Sequence, residues 1–157
     1  MSDLPHRKRR RGRPDGAPGG PVSYAGQVSL LLDLAEQAVA LQPAADAAVR
    51  ACGAAGTVPD EVAARTGKLL RGYSRLHNQL DGLAADPDLA QVRHDLLGQL
   101  SYHLHMLRDA GDLVFSAHPA AEDDRFRREL ARGLGPHAAG LIRLRDALIA
   151  RRAALDP

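Results

Sequence analysis

The chain has 157 residues, a formal net charge of +2, 45% hydrophobic and only 3% aromatic residues, no Trp and one Cys. That length fits one domain with a tail, and the lone Cys52 excludes an intramolecular disulfide and points to a reducing compartment. No apolar run reaches the roughly 18 residues of a membrane span and the charged start lacks the apolar core of a secretory leader, so a cytoplasmic protein that does not enter membranes is expected.

Residues 1–21 combine Arg, Gly and Pro with almost nothing to bury, and should be disordered in isolation. Six cations (Arg7, Lys8, Arg9, Arg10, Arg11, Arg13) stand there against Asp3 and Asp15, a balance of +4 that leaves −2 for the rest of the chain. The positive balance therefore belongs to the arm, and a polyanion contact would begin there. Arg11-Gly12-Arg13-Pro14 with its flanking cations resembles an AT-hook, the short minor-groove-binding motif of chromatin-associated proteins. The resemblance covers residues 7–16. It implies that Arg11, Gly12, Arg13 and Pro14 sit in an A·T-rich minor groove while Arg7, Lys8, Arg9 and Arg10 contact phosphates. The physics agrees: the narrow, negative groove favours an inserted Arg, Gly12 allows close backbone approach, and Pro14 keeps Arg13 extended. The same run also fits a nuclear import signal or a solvated tail without a specific role.

The remaining residues, 22–157, read as an all-α domain. Ala and Leu dominate the apolar content and β-branched residues are few, a composition that favours helices over strands. A first helix is expected from about Ser23 to Gln42, with Val28, Leu31, Leu32, Ala35, Ala38 and Val39 at helical spacing. Pro43 should stop it, and a short helix from Ala44 to about Cys52 should end at Gly53 and Gly56. The next helix opens with Thr57 as N-cap, Pro59 in the first turn, and Asp60 and Glu61 at the positive end of the dipole. Its seam is Val62, Thr66, Leu69, Tyr73, Leu76, Leu80 and Leu83, a heptad pattern, broken at Asp86-Pro87. A long helix from about Asp88 to Ala117 follows, with Leu89, Leu96, Leu100, His103, Leu107, Ala110 and Val114 in one stripe that Leu97 and Leu104 widen. The short connection makes these two helices antiparallel neighbours. A helix start at Ala120 to Asp124 carries Phe126 and Leu130. After Gly133, Gly135 and Pro136, a last helix to Leu155 presents Leu141, Leu144, Leu148 and Leu155, with Ile142 and Ile149 beside them. The expected architecture is an antiparallel helical bundle of four main helices, preceded by the disordered basic arm. Leftover apolar positions would suit a protein partner or a homodimer.

Three sets of side chains bear on chemistry. His94-Asp95-Leu96-Leu97-Gly98-Gln99-Leu100 resembles the phosphoacceptor box of histidine-kinase dimerisation and phosphotransfer helices, and residues 129–148 resemble the return helix of such a hairpin, so that the match spans residues 88–155. It implies His94 as acceptor and Asp95 as the base that activates its imidazole. The Arg or Asn and the Pro usual after that His are missing, and residues 1–157 offer no ATP-binding domain, so autophosphorylation within this chain is not expected. The histidines also form three four-residue steps to an acid, His77/Asp81, His105/Asp109 and His118/Glu122, each able to share a helix face. The Glu and Glu-x-x-His pattern of a di-iron bundle is absent, so no metal and no cofactor is expected. His103, in the apolar stripe, reads as a hydrogen-bonded core residue, and Cys52 as packing. Ser74 and Ser101 lie on helices without a nucleophile elbow. The functional expectation is a non-enzymatic regulatory or architectural protein, with DNA on the arm and protein on the bundle. The alternatives are a phosphotransfer module and a plain interaction bundle with an inert tail.

Overall fold

A computed structural model describes residues 22–115 and 120–155. The expected disordered arm, with Arg7 to Pro14, and His118 lie outside the described residues. Five helices follow in order: α1 (Tyr24–Gly53), α2 (Asp60–Asp81), α3 (Pro87–Phe115), α4 (Ala120–Leu130) and α5 (Gly135–Ala153). The fold is all-α, and the four long helices make an antiparallel bundle. α1 touches every other helix, whereas α2 and α5 share no contact surface, so α1 and α3 form the short diagonal of the bundle. The alternating directions are fixed by cross-links between helices. Tyr73 of α2 donates to the Ala38 carbonyl of α1 at 2.9 Å. Gln42 of α1 donates to the Ala138 carbonyl at the start of α5 at 3.0 Å. Arg151, at the end of α5, reaches the Asp88 carbonyl at the start of α3.

The structure corrects the expected break at Pro43. α1 runs through it as one helix of 30 residues, with Ser23 as N-cap, its hydroxyl accepting from the Gly26 N–H. A proline inside a helix removes one hydrogen bond and crowds the preceding turn. Here the buried positions Ala35, Ala38, Gln42, Ala45, Val49 and Cys52 keep steps of three and four straight across it. Both halves bury the same stripe against α2, α3 and α5, and that packing outweighs the local cost. Pro43 itself faces solvent.

α2 begins at Asp60 with Pro59 at the N-cap, not with Thr57 as expected. The Pro59 carbonyl takes the N–H groups of Val62 and Ala63, and Asp60 and Glu61 supply the negative charge that the exposed first turn favours. The seam is as read: Thr66, Leu69, Tyr73, Leu76 and Leu80 are buried, joined by Ala63, while Val62 and Leu83 are partly covered. On α3 the stripe from Leu89 to Ala110 is buried and extends to Met106 and Leu113, because α3 is covered by α1, α2 and α5 together.

Arginines close the helix ends. Arg93 donates to the Leu80 and Asp81 carbonyls at the end of α2, Arg127 to the Ala54 carbonyl after α1, and Arg50 to the Ala131 carbonyl after α4. Cations placed on these orphan carbonyls also meet the negative end of the helix dipole. Between α4 and α5 the chain turns at Gly133, whose φ of 67° lies in the left-handed region that favours glycine. Asp46 and Arg50 of α1 pack where its Cβ would be. On α5 Leu141 and Leu148 enter the core, Leu144 is partly covered, and Ile142 and Ile149 stay on the surface at 37% and 44% exposure. No helix of the described residues is long and apolar enough to cross a membrane.

Candidate functional site

His94 is exposed on α3 and opens on a groove of about 450 Å³ between α3 and α5. Asp95, Gln99 and His137 also line it, with Arg143 on the α5 side. Asp95 accepts from the Gln91 amide one turn back at 2.8 Å. Neighbouring positions on a helix point about 100° apart, so this carboxylate and the His94 ring leave the helix in different directions.

Beneath the groove lies a buried polar cluster that joins three helices. His103 is fully buried at 0% exposure. Its Nδ1 stands 2.7 Å from the Gln99 carbonyl oxygen. A carbonyl only accepts, so Nδ1 carries the hydrogen and Nε2 is the acceptor. The Gln42 amide Nε2, 3.2 Å away, supplies that hydrogen bond and gives its second hydrogen to the Ala138 carbonyl. The His103 ring packs against Tyr73 at 5.1 Å between centroids. Burial, together with nearby His137, lowers the His103 pKa, while its bond to Gln99 opposes the shift. His137 stacks on Tyr102 at 3.7 Å between centroids and bonds the Gln99 side-chain oxygen at 3.1 Å. The core-histidine reading of His103 holds. Gln42 escaped sequence reasoning, although a glutamine in phase with an otherwise apolar stripe was the available signal.

The histidine–acid steps divide. His105 and Asp109 meet at 3.3 Å, and burial raises the Asp109 pKa while His105 opposes. His77 instead bonds Ser101 of α3 at 3.1 Å, and Asp81 faces Arg93 at 3.5 Å. Among the described residues no three His, Cys, Asp or Glu side chains gather as metal ligands. Cys52 is buried near the Thr66 hydroxyl, and burial pushes its thiol pKa up, which suits a packing residue.

A second surface was missed in the sequence. Between Val62 and Leu80, α2 carries Arg65, Lys68, Arg71 and Arg75 and no acid. All four are exposed, and none makes an ion pair or hydrogen bond among the described residues. They border a groove of about 760 Å³ between α1 and α2. Its floor is Leu41, Ala44, Leu69 and Gly72. Asp46 of α1 is engaged elsewhere: it holds Arg50 at 2.7 Å and the Leu134 N–H at 2.8 Å. Burial resists ionisation of Asp46, but these partners hold its carboxyl below the usual carboxylate range.

Comparison with protein-family models, curated proteins and solved structures finds no match to this chain.

Proposed function

We propose that the chain is a non-enzymatic regulatory or architectural protein. It contacts nucleic acid through the arm (Arg7, Lys8, Arg9, Arg10, Arg11, Gly12, Arg13, Pro14) and protein partners through the helical bundle. The observation that carries this reading is the division of charge: +4 on residues 1–21 and −2 on the remainder. A cationic arm on a domain of slight opposite sign concentrates attraction for a polyanion in one segment. The Arg11-Gly12-Arg13-Pro14 centre, similar to an AT-hook, gives that attraction a preference for A·T-rich minor groove. A cytoplasmic chain whose arm binds DNA in this way would associate with the nucleoid. The test is a mobility-shift titration of A·T-rich duplex at several salt concentrations. Removal of residues 1–16 should abolish the shift, and an unchanged shift refutes the reading.

One observation favours a second reading, phosphotransfer at His94. This imidazole is exposed, and Arg143 lines the far side of the same groove. A guanidinium there suits the charge of a phosphoryl group. Incubation with phosphorylated response regulators should label the wild type and spare His94→Gln. Absence of label in the wild type removes this reading.

A further inference from the structure

We infer that the groove between α1 and α2 is a docking site for an acidic amphipathic helix of a partner protein. The inference deepens the proposed protein contact of the bundle and rests on that half of the reading alone. Its basis is a pairing of two features along one line. The floor is apolar, formed by Leu41, Ala44, Leu69 and Gly72. Gly72 lets the Leu41 side chain pack close to the α2 backbone, 3.3 Å from where a Cβ would stand. Beside the floor, Arg65, Lys68, Arg71 and Arg75 project into solvent with no acidic partner.

From Arg65 to Arg75 the row extends about 15 Å along the helix axis, at about 1.5 Å per residue. A partner helix laid in the groove would present acids over the same length at three- and four-residue steps while burying its own apolar stripe. Like-signed side chains held this close repel one another and gain from an oppositely charged neighbour. A nucleic-acid backbone would use the four cations but would leave the apolar floor empty, because phosphates need no hydrophobic trough. The floor therefore favours the peptide over the duplex.

The probe is a synthetic helix with Leu at i, i+3, i+4 and i+7 and Glu on the opposite face, fluorescently tagged and titrated with the full chain after nuclease treatment. A scrambled peptide of the same composition keeps the charge and destroys the stripe. Three variants of the full chain separate the contributions: R71E/R75E cancels the net charge of the rim, Ala44→Trp fills the groove without changing charge, and Gln at residues 7–11 and 13 neutralises the cations of the arm. Positions 44, 71 and 75 are exposed, so unchanged helical circular dichroism is expected and checks folding.

The expected result is saturable binding of the amphipathic peptide, weakened at least about 10-fold in R71E/R75E and in Ala44→Trp, within about twofold of wild type in the arm-neutralised chain, and at least about 10-fold weaker for the scrambled peptide. No saturable binding, equal binding of the scrambled peptide, or indifference to Ala44→Trp overturns the proposal. So does duplex DNA that binds the arm-neutralised chain and is lost in R71E/R75E. Loss of DNA binding in the arm-neutralised chain concerns the arm alone, so the two readings fail by different signals.

Discussion

Replacing His103 by Phe should change how stability depends on pH, and the sign follows from burial. In the folded chain the His103 ring is fully buried, with Nδ1 donating to Gln99 and Nε2 accepting from Gln42. Burial penalises the charged ring and so holds the pKa below its ordinary 6.5, and protonation would also put a donor on Nε2 facing the Gln42 amide. Above pH 6.5 folded and unfolded chains both carry neutral imidazole, and the full stability is present. Below it the unfolded chain takes up a proton that the folded chain declines. Stability then falls with pH until the folded pKa is reached, by at most about 1.4 kcal/mol per pH unit. Phe keeps a ring against Tyr73 and loses two hydrogen bonds, while the Gln42 amide keeps Ala138. The variant should therefore be about 1–2 kcal/mol less stable near neutrality but should lack the acid-side loss. Denaturant unfolding followed by circular dichroism, from about pH 7.5 to about pH 5.5, should show the two stabilities converging. In thermal melts the wild type should lose about 3–6 °C more than the variant for each pH unit of full slope. Parallel curves for the two proteins would refute a neutral, buried His103 as the acid-sensitive group.

At the end of α1, a Cβ on Gly53 would meet the Ala131 nitrogen at 2.7 Å and the Arg127 carbonyl at 2.9 Å. Both are backbone atoms that move only with α4, so Gly53→Ala should cost about 1–3 kcal/mol in denaturant unfolding. Asp46→Ala removes the bonds to Leu134 and Arg50 and should cost about 1 kcal/mol, a modest figure because the pair is partly exposed and screened. Since the Asp46 carboxyl is held below its ordinary 3.8, that difference should be present above pH 3.8 and disappear as the pH falls through the folded value. Cys52, buried and with a raised pKa, should resist a thiol reagent in the native protein. Its labelling should track global unfolding as denaturant is added.

Helix positions and the core were legible because Ala and Leu recur with the right step and because short connections force antiparallel neighbours. The errors came from reading local signals alone. Pro43 looked like a stop, yet the stripe from Ala35 to Cys52 passes it without a change of phase, and that continuity was in the sequence. Thr57 looked like a cap, but the helix begins three residues later. His77 and Asp81 share a helix face, yet each finds its partner across the bundle, which spacing within one helix does not specify. The α2 cations were hidden by averaging: the remainder beyond the arm sums to −2, but a partner meets one helix face, and that face carries four unbalanced cations.

The central claim, nucleic-acid contact through the arm, is tested most directly by the salt dependence of binding to A·T-rich duplex. Four phosphate contacts from Arg7, Lys8, Arg9 and Arg10 should give a slope of log affinity against log salt near −3.6, and six engaged cations a slope near −5.4, at about −0.9 for each phosphate neutralised. Arg11→Ala/Arg13→Ala should remove the preference for A·T over G·C duplex and, where all six cations neutralise phosphates, make the slope shallower. A slope near zero, or a slope and preference unchanged in that variant, would contradict the account.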